Sequence, residues 1–322
     1  MPVTRRDVFA GAAALVASPA IAQGGPFPNR PITLLVGFAA GSSTDVASRI
    51  VAEQVGSILG QRVVVETKPG AASRIAAEAV ARAPKDGYTL FVGTVANVIN
   101  DGLNPGSATF SRDLAPVALF GSTPTILAVP ASLPAKDVAG LVAHARSKPE
   151  GLTYGSPGIG TAPHLAGEMF AQLAGVRLTH VPYSGSAQAV TDLLAGRIDM
   201  MFVPASSALA QVQSGALRAL ASTGRDRTAV ASDLPTVAEA GLAGFDTNIW
   251  FGIMAPAGTP DDILGKLAAA TRSAVASEPI KTAFAAQMVD PLNGGPQEFR
   301  DWVASETRKW DGVITRAGLA RK

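Results

Sequence analysis

No cysteine occurs among the 322 residues, which excludes disulfides, thiol nucleophiles and thiolate metal sites. The same absence suits an oxidising compartment, because no thiol is there to mispair. Charge is also scarce: charged residues make up 16% of the chain and the formal net charge is +2. Lys and Arg are scattered, with no basic stripe and no interleaved aromatics, so nucleic acid is not an expected partner. The three histidines, His144, His164 and His180, fall on different expected elements without metal-ligand spacing. No metal site is therefore expected. A phosphate loop, a His-Glu-x-x-His pair and a Gly-x-Ser-x-Gly elbow are all missing. Gly158-Ile159-Gly160 lacks the third glycine of a dinucleotide fingerprint, and no cofactor is expected.

What the chain has in abundance is apolar residues, at 47%. That supplies sizeable cores, and the length suggests about two domains. The first two dozen residues read as an export segment. Arg5 and Arg6 form a positive start, Val8 to Ala17 a short apolar core, and Ala20-Ile21-Ala22 a small-x-small cleavage signal. Residues 1–22 are thus expected to be removed, leaving a chain that begins near Gln23. Thr4-Arg5-Arg6-Asp7-Val8-Phe9 also resembles a twin-arginine motif, against the plainer reading of an ordinary secretion signal. No later run is long and apolar enough to span a bilayer, so the mature chain is not expected to be membrane-spanning.

From Ile32 onward, strands and helices alternate. Apolar runs at Ile32 to Phe38, Arg62 to Thr67 and Tyr88 to Gly93 read as strands, separated by helices over Asp45 to Leu59 and Ala71 to Ala83. The pattern repeats with strands at Ile126 to Val129, Leu152 to Gly155, Arg177 to Val181, Ile198 to Val203 and Leu217 to Ala221. The intervening helices are Val138 to Arg146, His164 to Leu173, Ala187 to Leu194 and Ser206 to Gln213. A late strand, Ile249 to Met254, precedes three helices over Asp261 to Ser277, Pro279 to Gln287 and Pro296 to Ala317. Such alternation argues for an α/β fold with mostly parallel sheets flanked by helices. The chain is expected to cross to a second lobe near Pro124 and to return near Asn248. That gives residues 23–124 plus 249–322 as one lobe and 125–248 as the other.

The strand-to-helix junctions carry the chemistry. Ala40, Gly41, Ser42, Ser43, Thr44 and Asp45 form one; Ser156, Gly158, Gly160 and Thr161 form another. Thr94 with Asn97, and Tyr183 with Ser184, Gly185 and Ser186, give two more. Free backbone N–H groups and the positive end of the helix dipole make such junctions anion sites without Lys or Arg. Ligands of open α/β sheets lie outside these strand ends. Helix capping alone would also explain the Ser, Thr and Asp residues, and it is the favoured reading for Asp45. Tyr183 reads as a ligand contact or a half-buried strand-end aromatic, and Trp250 and Phe251 as core. Val203, closing a strand, reads either as an apolar wall of the cleft or as core.

Several stretches, in order, resemble the substrate-binding receptors of tripartite tricarboxylate transporters, the Bug or TctC family. They are Gly41-Ser42-Ser43-Thr44-Asp45, Asp86-Gly87-Tyr88-Thr89-Leu90, His180-Val181-Pro182-Tyr183, Asp192-Leu193-Leu194-Ala195-Gly196, Leu234 to Gly241 and Trp250 to Pro260. The resemblance implies a two-lobed periplasmic-binding-protein-like fold that closes on a small carboxylate-like solute and delivers it to membrane transporter subunits. It implies contacts from Gly41 to Thr44 in one lobe and from Ser156 to Thr161 and Tyr183 to Ser186 in the other. The first loop departs from the family's usual prolines and paired glycines, and Val203-Pro204 stands where an acidic or amide residue is common. A monomer is expected. A sensory receptor is the alternative of the same architecture. An exported hydrolase is the alternative of a different class, and it would need a serine with a histidine base in reach.

Overall fold

The computed structural model describes residues 26–105, 110–228 and 231–320. The expected export segment and its cleavage point lie outside these residues. In chain order the first elements are β1 (Ile32–Val36), α1 (Ser43–Leu59), β2 (Val63–Thr67), α2 (Arg74–Ala81), β3 (Thr89–Thr94), α3 (Val95–Leu103), α4 (Phe110–Asp113) and β4 (Leu114–Thr123). After Pro124 come β5 (Thr125–Pro130), α5 (Val138–Ser147), β6 (Leu152–Ser156), α6 (Ala162–Ala174), β7 (Leu178–Pro182), α7 (Ser186–Leu194), β8 (Met200–Pro204), α8 (Ala205–Gln213) and β9 (Leu217–Ser222). The chain finishes with β10 (Ile249–Pro256), α9 (Asp261–Ala276), α10 (Glu278–Ala286), β11 (Asp290–Gly294) and α11 (Pro296–Ala317).

These strands build two sheets. One runs β11-β4-β10-β3-β1-β2 and the other β7-β6-β8-β5-β9. The chain passes between sheets at Pro124 and again between β9 and β10. β1 pairs in parallel with β2 and β3, and β6 with β7 and β8. The crossing strands are antiparallel to their neighbours: β10 to β3 and β4, β5 to β8 and β9. The sheets are therefore mixed, with parallel βαβ pairs on one side of each and antiparallel crossing strands on the other. Strands that carry the chain between sheets are not βαβ crossovers and are free to run the other way.

Four elements were hidden in the sequence, the one-turn α4 among them. β4 contains Pro116 and Gly121 and pairs with β10 through two register shifts, so its apolar alternation is broken. β11, Asp-Pro-Leu-Asn-Gly, has almost no strand propensity and is held at the sheet edge by β4. α3 is rich in β-branched residues, Asn and Gly, all weak helix formers. It forms because Val95, Val98, Ile99 and Leu103 are buried and because its first turn is capped. The helix expected over Ala71 to Ala83 begins only at Arg74, after a turn in which Ala71, Ala72 and Ser73 all have positive φ.

The inter-sheet crossings are tied by side chains. The Thr223 hydroxyl lies within hydrogen-bond distance of the carbonyls of Thr247 (2.7 Å) and Thr125 (3.1 Å), and the Thr125 and Thr223 hydroxyls lie against each other. α11 packs on α3 and β4 and also reaches α6, where Gln172 Nε2 donates to the Val313 carbonyl at 3.1 Å. Beneath α11 sits a buried carboxylate. One oxygen of Glu306 accepts from the indole N–H groups of Trp250 (3.2 Å) and Trp310 (3.1 Å), and the other pairs with Lys309.

Glu306 thus joins β10 to α11. Removing it strands two buried indole donors and takes from Lys309 one of its two carboxylate partners, the other being Asp246. Glu306→Ala is expected to cost about 3 kcal/mol in urea unfolding. Glu306→Gln, which keeps the oxygen shared by both indoles, should cost clearly less.

Candidate ligand-binding site

The first loop follows β1. Gly41 has φ of 79°, a conformation open to glycine, and the chain turns there into α1. The Ser42 hydroxyl caps the helix by accepting from the Asp45 N–H at 3.3 Å. Asp45 is buried, and its Oδ2 accepts from the Gly41 N–H (2.9 Å) and from Arg49 Nε (3.1 Å). Asp45 therefore ties the loop to the first turns of α1. Ala40 and Gly41 are exposed, Ser42 and Ser43 half-buried and Thr44 buried. Among the described residues no acceptor meets the N–H groups of Ser43 and Thr44. This is the uncompensated first turn of a helix, with its dipole pointing out of the sheet.

Thr94 and Asn97 behave differently from expectation. Both are buried and form a closed capping box: Asn97 Oδ1 accepts from the Thr94 N–H at 3.0 Å, and Thr94 Oγ1 from the Ala96 N–H at 3.3 Å. The Asn97 Oδ1 and the Thr94 hydroxyl thus serve the start of α3.

The loop before α6 is wired from below. The Ser156 hydroxyl donates to the Gly158 carbonyl (3.0 Å) and accepts from the Gly158 N–H (3.1 Å). Thr161 Oγ1 donates to the same carbonyl at 2.7 Å. The Gly160 N–H donates to His164 Nδ1 at 3.2 Å. That bond requires an unprotonated Nδ1 and so places the proton of neutral His164 on Nε2, 4.0 Å from Glu168. His180 Nε2 lies 2.7 Å from Ser156 Oγ. With its proton on Nε2 the ring donates to the serine, which leaves the serine's own proton for Gly158. The rings of His164 and His180 lie 4.1 Å apart, and the ring of the fully buried Tyr154 lies 4.9 Å from His180. The Tyr154 hydroxyl donates to Glu168 at 2.6 Å.

Sequence reasoning kept these histidines apart because they sit on different elements. The fold brings them together, since β6 and β7 are paired neighbours with Tyr154 opposite His180, and α6 starts above them. Burial is the main force lowering the pKa of both imidazoles to about 4, and His164 adds to the effect on His180. A serine within reach of a histidine is the one catalytic-looking feature. Yet Ser156 has no exposed surface, and in this arrangement the histidine is its donor, not its base.

The fourth loop precedes α7. Ser184 is exposed, Gly185 and Ser186 are half-buried, and neither Gly185 nor Thr161 supplies a side-chain cap to its helix. The first N–H groups of α6 and α7 are therefore open, Pro163 having none to offer. Tyr183 is half-buried, and its hydroxyl donates to Asp192 at 2.9 Å. That carboxylate in turn holds Arg197 at 2.8 Å and sits below its ordinary pKa, chiefly through the Arg197 bond. Val203 is a correction: it is completely buried and packs with Ile126, Ala189 and Ile198, so it forms no cleft wall. As strand residues alternate faces, β8 turns Val203 into the core of the second sheet.

Sequence reasoning also missed the turn before α2. Ala71, Ala72 and Ser73 have φ of 46°, 48° and 76°, each costing of order 1–3 kcal/mol in a non-glycine residue. The Asn100 amide holds this turn by donating to the carbonyls of Ala71 (3.2 Å) and Ala72 (2.7 Å). Three positive-φ residues in a row leave no apolar or glycine pattern by which a sequence would reveal them.

Loops at strand ends, with open helix amides and buried anchoring side chains, define a two-lobed binding-protein fold. The family model "Tripartite tricarboxylate transporter family receptor" matches residues 47–319, and the chain belongs to that family. The periplasmic binding protein BugD superposes with a TM-score of 0.79 at 30% identity, over 92% of this chain and 100% of that one. An R. palustris protein solved with adipate gives 0.81 at 34% identity, covering 91% and 99%. MatC from Rhodopseudomonas palustris, with bound malate, gives 0.77 at 31%, covering 89% and 100%. The family is one of periplasmic solute-binding proteins, as the resemblance implied.

The two low-pKa histidines set a pH dependence. Unfolded, each takes up a proton near its ordinary 6.5; folded, near 4. The folded state is therefore the one short of protons between these values, and stability rises with pH across that window. Urea unfolding should show full stability above about pH 6.5 and, on acidification to pH 4, a loss of about 3 kcal/mol for each histidine, up to about 6 kcal/mol for the pair. His164→Gln should flatten that decline.

Proposed function

We propose that this protein is an exported receptor that captures a small organic acid between two lobes and hands it to the membrane subunits of a tripartite tricarboxylate-type transporter. The observation that carries the reading is the set of unpaired helix-start amides after β1, β6 and β7, with no Arg or Lys side chain needed to hold an anion. Relatives at this similarity with bound adipate and malate support a carboxylate as the anion. The contact set is Gly41 to Thr44 from one lobe and Gly158 to Thr161 with Tyr183 to Ser186 from the other.

Lobe one comprises residues 23–124 and 249–322, and lobe two residues 125–248. Closure is a rotation about the Pro124 and Asn248 crossings, where Thr125, Thr223 and Thr247 keep the two crossing segments together. The protein works as a monomer and binds without catalysis. The locked Ser156 supports the last point. The Arg5-Arg6 pair supports export, and Thr4 to Phe9 favours the twin-arginine route.

A thermal-shift series with adipate and malate tests the reading, since a ligand bound only by the folded state raises its apparent stability. Either acid should raise the unfolding temperature in a concentration-dependent way. Ser43→Ala should weaken binding by roughly five- to tenfold, about 1 kcal/mol, with the unfolding temperature of the free protein nearly unchanged. Full affinity in Ser43→Ala and in Thr44→Val together would remove the first loop from the site.

A further inference from the structure

The turn between β2 and α2 is the costliest backbone in the first lobe and has no role in the contact set above. Ala71, Ala72 and Ser73 are consecutive residues of positive φ, none of them glycine. Such a run persists only when its surroundings impose it. Here Asn100 imposes it, through one amide that bonds two successive carbonyls. The carbonyls are thereby drawn to Asn100, and the only backbone N–H in the turn that closes on the chain itself is that of Arg74, which donates to Ala71 at 3.1 Å. The N–H groups of Ala71, Ala72 and Ser73 meet no acceptor among the described residues.

Two further observations place the turn beside the first loop and show a polar group in it without a partner. Gly37, directly after β1, has no room for a side chain, because a Cβ there would lie 1.9 Å from Ser73 Oγ. The turn therefore rests on the backbone that leads into Gly41 to Thr44. Ser73 is also completely buried, and its hydroxyl finds no hydrogen-bond partner. A buried, unpaired hydroxyl is uncommon in native proteins and calls for a missing partner.

We infer that the Ala71–Ser73 turn is a second anion-contacting loop of the first lobe: its N–H groups take a carboxylate end of the solute, and Asn100 is its positioning residue. This rests on the carboxylate reading proposed above and names further contacts for it. Two adjoining loops of amide donors fit one carboxylate better than one loop does, since each oxygen accepts more than one bond. Replacing Asn100 with a residue that cannot hold the two carbonyls frees the strained turn to relax, which scatters the donors.

Amide chemical shifts of the 15N-labelled protein, titrated with adipate and separately with malate, test the inference without any mutation. The amides of Ala71, Ala72 and Ser73 are expected to shift in step with those of Ser43 and Thr44 for whichever acid binds. Asn100→Ala should then weaken that acid about tenfold while the same protein still melts cooperatively. Shifts at Ser43 and Thr44 with Ala71, Ala72 and Ser73 silent would overturn the inference and leave the carboxylate reading standing. Full affinity in a folded Asn100→Ala would remove Asn100 from its role. No shift anywhere with either acid overturns the carboxylate reading and this inference with it.

Discussion

Two of the candidate binding loops, and the crossings between the sheets, are held by side chains that are themselves hidden from solvent. Asp45 pins Gly41, His164 pins Gly160 and Thr223 ties the crossings together. This division of labour follows from what the loops offer. A helix start binds an anion through backbone N–H groups, which cannot be aimed by rotating a side chain. They are aimed only by fixing the backbone, so the polar residues nearest the site serve geometry first. Thr94 and Asn97 follow the same design, since the Asn97 Oδ1 and the Thr94 hydroxyl go into the α3 cap.

The same principle accounts for the histidine pair. Two neutral imidazoles stacked under a loop are an expensive way to hold it, because burial denies them their protons at mildly acid pH. In return each ring supplies one nitrogen to a loop atom at a fixed angle. Tyr154 and Glu168 complete the underside, and Gly167 makes room for the Tyr154 ring, which lies 2.1 Å from where a Cβ would stand. The resulting wedge between β6, β7 and α6 is rigid and apolar below, with open amides above. Ser156 gains its histidine neighbour from this wedge and not from any catalytic arrangement.

Much of this was legible in the sequence. Continuous apolar runs located β1, β3 and β8, and Ser-Thr-Asp or Gly-rich junctions located the loops that follow β1, β6 and β7. The helix expected over Pro296 to Ala317 has those bounds in the structure. What stayed hidden depends on partners distant in the chain. β11 exists because β4 pairs with it, α3 because its apolar residues are buried, and the Ala71–Ser73 turn because Asn100 holds it. Val203 shows a different limit. A strand's last residue faces either side with equal ease, and only the sheet's packing decided that it joins Ile126 and Ile198 in the core.

The central claim is that a carboxylate's charge is recognised by backbone donors at the strand ends. Calorimetric titration of the protein with adipate and with dimethyl adipate, and with malate and its dimethyl ester, tests it most directly. The ester keeps the carbon skeleton and removes the anion. The account predicts measurable binding of at least one free acid and a loss of tenfold or more for its ester, about 1.4 kcal/mol or greater. Equal affinity for acid and ester would contradict it.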